Sequence, residues 1–251
     1  MRMGLHVVEG AATTLIVFPC VSPPRRRALI CRWSARMLRI LRVEARFHDV
    51  PDGGLPGNLL IVANHISWLD IFVLNTLQPA RFIAKAEVRR WPVVGWLSAS
   101  VGTLFVERER RRHARSINHQ AAAALSRGDV VAIFPEGTTT DGTTVLPFRG
   151  SLLQPIVDTE GHVQPIAIRY RDAAGSPSAA PAYVGDTSFM TSFWRVTAER
   201  SLVAELHLAA PLPARAQHRR ALARAAEDAI RTVLELPATG SAPGTRVDPP
   251  A

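Results

Sequence analysis

Two uninterrupted apolar runs, Leu59-Leu60-Ile61-Val62-Ala63 and Val130-Val131-Ala132-Ile133-Phe134, constrain the fold of this chain more than any other feature. A strand with one wet face alternates polar and apolar residues. A run apolar at every position must be covered on both faces. That cover normally comes from helices on either side of a largely parallel sheet. The intervening sequence agrees: Arg81–Ala84, Gly102–Val106 and Val163–Arg169 also read as strands. A helix is expected from about Ser67. Another spans Arg111–Arg127, with Ala114, Ile117, Ala121 and Leu125 on one face and Gly128 as its stop. Arg215–Leu234 repeats the pattern with Leu222, Ala226, Ile230 and Val233. The prediction is an α/β fold: a mixed sheet flanked by helices, in one domain over 47–236. The Pro/Gly/Thr-rich 237–251 is expected to be a disordered tail.

Residues 1–46 read as an N-terminal amphipathic, membrane-associating helical segment. Ala11–Val21 is apolar, shorter than the roughly 20 residues a spanning helix needs, and is followed by Pro23-Pro24 and Arg25-Arg26-Arg27. No small-x-small cleavage site of a signal peptide is evident. Over Ala28–Ala45, Arg32, Arg36, Arg39 and Arg46 continue a basic stripe begun at Arg25. Leu29, Trp33, Met37, Ile40 and Leu41 line the other side. Such a helix suits a lipid interface, and equally a surface helix packed on its own domain; the adjacent apolar run favours the membrane. The charge points the same way: 30 Lys+Arg against 21 Asp+Glu leave a net +9, which attracts an anionic leaflet or a nucleic acid. Aromatic residues are only 6%, sparse for a nucleic-acid module, so no nucleic acid is expected as a partner. Cys20 and Cys31 lie in no CxxC or Cys/His cluster, so neither a zinc site nor a disulfide framework is expected.

Two segments leaving the apolar runs could carry chemistry. In Asn64-His65-Ile66-Ser67-Trp68-Leu69-Asp70, His65 stands at a strand end, where α/β sheets usually hold ligands. His65 and Asp70 would diverge on one helix, which turns about 100° per residue. They meet if His65 precedes the helix and Asp70 lies in its first turn, with Ser67 as N-cap. Ser67-x-x-Asp70 also resembles a capping box, in which the carboxylate merely closes the helix end. The second segment, Phe134-Pro135-Glu136-Gly137-Thr138, puts Glu136 at a strand end, with Gly137 allowing a sharp turn. By itself a plain turn explains it.

Taken together the two segments resemble the glycerolipid acyltransferase family, which includes the lysophosphatidate acyltransferases. The resemblance runs from about Asn58 to Ile168. An NHxSxxD block matches Asn64, His65, Ser67 and Asp70. A Gly-x-x-Phe-[Ile/Val]-x-Arg block matches Gly102, Phe105, Val106 and Arg108. FPEGT matches Phe134 to Thr138, and a Pro between hydrophobics matches Pro165. Members acting on glycerol phosphates usually carry Arg after FPEGT; here that residue is Thr139, and Thr138–Gly142 looks more like the lyso-ornithine lipid subgroup.

The resemblance implies acyl transfer from an acyl-CoA or acyl carrier protein thioester to a lysolipid hydroxyl, without an acyl-enzyme and without a cofactor or metal. It implies His65 as general base and Asp70 as its partner. It also implies substrate contacts from Lys85, Arg108, Glu136, Gly137 and Thr138, with backbone N–H groups around Gly137 as oxyanion donors. Lys85 is the only lysine in the chain. The expected location is the cytoplasmic face of the cell inner membrane, peripheral or monotopic. Two rival readings use the same residues: a hydrolase binding a metal through His65, Asp70 and Glu136, and a non-enzymatic basic membrane-binding protein.

Overall fold

The computed structural model describes residues 2–237 apart from Pro56, Pro92 and 107–110, and the side chains of 111–115 are likewise not described. The expected tail therefore lies almost wholly outside the described residues. The chain opens with helix α1 (Arg2–Ala12), continues through π-helical Thr13–Val17 and 3₁₀ Phe18–Cys20, and enters α2 (Pro23–Ile40). Then follow β1 (Val43–His48), β2 (Leu59–Ala63), α3 (Leu69–Leu77), β3 (Arg81–Lys85), a 3₁₀ turn (Ala86–Arg90), α4 (Val94–Ser100) and β4 (Leu104–Val106). The second half comprises α5 (Arg111–Ser126), β5 (Val130–Ile133), a 3₁₀ turn (Gly150–Leu153), α6 (Gln154–Asp158), β6 (His162–Arg171), α7 (Phe189–Ala198), β7 (Leu202–Leu208), β8 (Leu212–Pro213) and α8 (Arg219–Val233).

The strands form one sheet in the order β1-β7-β6-β2-β5-β3-β4, with β8 beside β6. β6, β2, β5, β3 and β4 are mutually parallel. β7 runs antiparallel to β6, so the sheet is mixed as expected. The apolar runs do what their composition requires. Leu59, Ile61 and Ala63 of β2 enter a core beneath α2, α3 and α7. Leu60 and Val62 enter a second core beneath α5, α6 and α8. α5 ends as its glycine predicts: Gly128 takes φ +78°, and the Asp129 N–H reaches back to the Ala124 carbonyl at 3.1 Å.

The N-terminal region departs from the sequence reading in three ways. β1 begins at Val43, so the helical segment stops short of residue 46; Arg46 leaves the basic stripe and pairs with Glu44 at 2.8 Å. The apolar face of α2 is covered by its own domain, with Met37, Leu38 and Leu41 buried in the core that holds Leu69, Val73 and Leu74 of α3. Its amphipathicity is that of a packed surface helix. The apolar run, read as Ala11–Val21 and too short to span, is also part of a longer one: Arg2–Cys20, 19 residues, is long and apolar enough to cross a membrane by length and composition. α1 is fastened to α2, where Trp33 Nε1 donates to the His6 carbonyl (3.0 Å) and the His6 and Trp33 rings stack at 4.9 Å.

Where β2 ends, Asn64 takes over the role of a peptide unit. Its buried side chain donates to the Ile168 carbonyl (2.9 Å) and accepts the Ile168 N–H (2.7 Å), continuing the ladder to β6 while the backbone turns away. Replacing Asn64 by Ala strands two buried backbone groups at ~1–3 kcal/mol each. Urea unfolding of Asn64→Ala is expected to show a loss of about 2–6 kcal/mol; a loss under ~0.5 kcal/mol would mean that water replaces the amide.

Candidate active site

The carboxyl ends of β2, β5 and β3, adjacent and parallel, place His65, Glu136 and Lys85 along one edge of the sheet. At that edge Asp70 is fully buried, and its carboxylate is surrounded by donors. Oδ2 faces His65 Nδ1 at 2.8 Å and accepts the N–H groups of Ile66 (2.8 Å) and Ser67 (3.0 Å). Oδ1 accepts the Tyr170 hydroxyl at 2.7 Å. These contacts replace the hydration that burial removes. Burial and the neighbouring carboxylate hold the Tyr170 phenol well above its ordinary range, so it stays a donor. The two readings of Ser67-x-x-Asp70 coexist in one side chain: Asp70 reaches back to Ser67 as a capping residue does, and the same oxygen holds the imidazole. The helix begins slightly later than expected, at Leu69, with Ser67 Oγ accepting the Leu69 N–H at 3.3 Å.

The His65 ring stacks face to face on Phe134, with centroids 3.9 Å apart and planes 9° from parallel. Its side chain is 21% exposed, and among the described residues only Nδ1 has a hydrogen-bond partner. With Nδ1 donating to Asp70, Nε2 carries the lone pair. Held by a carboxylate on one side and an aromatic plane on the other, the one-fifth-exposed imidazole can accept a proton at Nε2 from a group that reaches it.

Glu136 is 3% exposed. Oε1 accepts the His65 N–H (2.7 Å) and Oε2 the Leu146 N–H (2.8 Å). Burial pushes its carboxyl up to about 7, against the two N–H bonds, which pull it down. The segment around Leu146 is in turn tied to α8: Glu227 accepts the Phe148 N–H at 2.9 Å, and Arg231 binds both Glu227 (3.1 Å) and the Val145 carbonyl. The Thr140 N–H closes the frame on the His65 carbonyl at 2.8 Å. At Gly137 the backbone takes φ +78°, and an added Cβ would lie 2.8 Å from the Arg149 guanidinium carbon, so glycine suits the position twice over.

Comparison with known proteins decides the family. The family model described as Acyltransferase matches residues 43–169. The chain belongs to the Acyltransferase family. It is 39% identical over 212 residues to the lyso-ornithine lipid O-acyltransferase of Pseudomonas aeruginosa, covering 84% of this chain and 80% of that one. It is 37% identical over 180 residues to the 1-acyl-sn-glycerol-3-phosphate acyltransferase of Neisseria gonorrhoeae, covering 71% and 70%. The crystal structure of the 1-acyl-sn-glycerophosphate (LPA) acyltransferase PlsC from Thermotoga maritima superposes with a TM-score of 0.63 over 92% of each chain, at 20% identity, so the fold is shared.

The structure of this acyltransferase brings His65 and Asp70 together and joins Glu136 to them through the backbone. It gives Glu136 a task that the expected headgroup contact did not include, since each of its carboxylate oxygens holds a backbone N–H group. The Gly137 N–H likewise closes the turn onto the Phe134 carbonyl (3.1 Å), which removes it from the expected oxyanion donors. Thr138 is exposed beside that turn, and Lys85 is exposed at the end of β3. Arg108 lies outside the described residues. No three His, Cys, Asp or Glu side chains among the described residues are grouped so as to hold a metal ion. Tyr170 and Glu227 were not foreseen. Each meets its loop only through the tertiary fold, Tyr170 lying 100 positions from Asp70.

Two measurements test this frame. Glu136 is protonated in both folded and unfolded chains well below pH 4.5 and ionised in both well above pH 7; between them only the folded chain retains the proton. Stability therefore falls as pH rises through this window, by ~3 kcal/mol at most. Urea unfolding at pH 5 and pH 8 should show that decline in the wild type but not in Glu136→Gln; equal slopes would refute the assignment. Tyr170→Phe leaves Asp70 Oδ1 without its buried donor, and kcat should drop about tenfold with KM little changed.

Proposed function

We propose that this acyltransferase moves a fatty acyl group from an acyl thioester to the free hydroxyl of a lysolipid, with lyso-ornithine lipid as acceptor, at the cytoplasmic face of the inner membrane. The observation that carries the proposal is the His65 imidazole, anchored to Asp70 at 2.8 Å through Nδ1, with no hydrogen-bond partner for Nε2 among the described residues. The names of the relatives supply the substrate class. Lyso-ornithine lipid is preferred to lysophosphatidate because the residue after Phe134–Thr138 is the uncharged Thr139, whose hydroxyl is committed to the Tyr183 carbonyl. A phosphate acceptor would favour a cation there.

In this mechanism Nε2 removes the acceptor hydroxyl proton as the oxygen attacks the thioester carbonyl carbon, a contribution of ~10²–10⁴ in rate. Asp70 stabilises the imidazolium. The tetrahedral intermediate collapses with cleavage of the C–S bond, and the imidazolium returns its proton to the departing sulfur. A thiol with a pKa of ~8.5 leaves far more readily than an alkoxide, so one base suffices. The sequence has no G-x-S-x-G elbow for a serine nucleophile, in keeping with direct transfer. Glu136 serves as the clamp that fixes the His65 backbone. Lys85 and Arg108 are assigned to the acceptor's anionic group and Thr138 to the mouth of the site.

The test offers lyso-ornithine lipid and lysophosphatidate separately, each with labelled acyl-CoA and with acyl carrier protein. The expected result is faster transfer to lyso-ornithine lipid and a loss of at least ~100-fold in His65→Ala with unchanged circular dichroism. Activity of His65→Ala within a few-fold of wild type removes His65 as the base. Label held covalently by the protein without acceptor overturns direct transfer.

A further inference from the structure

We infer that a tryptophan-rich shelf, formed by the Ala86–Arg90 turn with α4 on one side and α7 on the other, is a membrane-contact surface of the catalytic domain, separate from the N-terminal helical run. α7 has two unlike faces. Ser192 and Val196, four residues apart, point into the core and are fully buried. Met190 and Trp194, also four apart, point outward and are 56% and 63% exposed. Across from them Trp91 and Trp96 stand 43% and 42% exposed, and the Trp91 ring meets Phe189 at 6.5 Å, joining the two sides. Water is a poor environment for such a cluster, whereas the boundary between headgroups and acyl chains is where indoles collect.

Two further observations commit the shelf to lipid. Arg89, Arg90 and Arg195 are exposed on the same elements, against Glu87 and the half-buried Glu199, leaving the rim net basic as an anionic leaflet requires. The shelf is also packed to the N-terminal helices through an interior row of rings: those of the buried His6 and the half-buried Trp33, Phe72 and Trp68 lead to the exposed Phe189 with centroids 4.9 to 5.9 Å apart. Trp68 fastens the shelf to the site, its indole donating to Ser192 of α7 at 3.0 Å three residues after His65. The inference requires only that the protein works at a membrane, and does not depend on which acceptor it uses.

The experiment uses the full chain with acceptor-free vesicles of phosphatidylcholine, alone or with about a quarter phosphatidylglycerol. Wild type, the double variant Met190→Ser/Trp194→Ser and the conservative Trp194→Phe are compared by co-sedimentation. Detergent-solubilised substrates give the basal transfer rate. The expected result is stronger wild-type binding to the anionic vesicles and about tenfold weaker binding by the double variant. Trp194→Phe should bind like wild type, and basal transfer should be unchanged throughout. Equal binding by wild type and double variant overturns the inference and leaves contact to Arg2–Cys20 alone. A wild-type dimer in solution that the double variant dissolves, with vesicle binding unaltered, overturns it in favour of a second copy on the shelf. Because the vesicles carry no acceptor, the binding outcomes are independent of whether the proposed reaction is right.

Discussion

A carboxylate sealed from water sets the terms for the rest of this structure. Asp70 can remain in the interior only if donors are brought to it, and they come from separate places: the backbone of Ile66 and Ser67, the imidazole of His65, and Tyr170 on β6. The local donors require the chain to turn sharply after β2. The distant one requires β6 to lie beside β2 in parallel, so that its far end extends over the site. Asparagine at the exit of β2 makes both possible, since its amide continues the pairing that the departing backbone gives up. The first turn of α3 adds the favourable field of a helix N-terminus.

What the sequence disclosed was whatever lay close along the chain or was forced by composition. The continuous apolar strands could only be buried on both faces, and they proved to be the central neighbours β2 and β5. The meeting of His65 with Asp70 followed from their spacing and from the start of a helix between them. Less legible were features set by partners far away. β1 was hidden because Arg46 falls at a spacing that also suits a helix, and only its neighbour β7 makes it a strand. Glu136 at a strand end is the same letter whether it binds a ligand or two N–H groups. Its burial separates the cases, and burial is a property of the assembled fold.

The N-terminal helices show the same limit from another side. An amphipathic pattern records that one face avoids water, without recording what covers it. For α2 the cover is α3; for the run ending at Cys20 most of the apolar surface has none among the described residues. The sequence reading assigned lipid contact to 1–46 as a whole, the striped helix together with the apolar run before it, whereas the structure leaves the exposed apolar surface on that earlier run and on α7. Composition was informative about the amount of apolar surface and silent about its destination.

The path from α8 through the Val145–Phe148 segment to Glu136 and on to the His65 backbone has a bearing on how enzymes of this build diversify. The stretch between Thr138 and Leu146 runs from the exposed end of the Gly137 turn to the segment that holds Glu136, so it is a natural place for selection to vary headgroup preference. Its far end also fixes, through Glu136, the backbone of His65. Changes there are filtered twice, once for the lipid they admit and once for the tilt they impart to an imidazole. Transplanting that stretch between homologues without its α8 anchor would be expected to transfer selectivity at the expense of turnover.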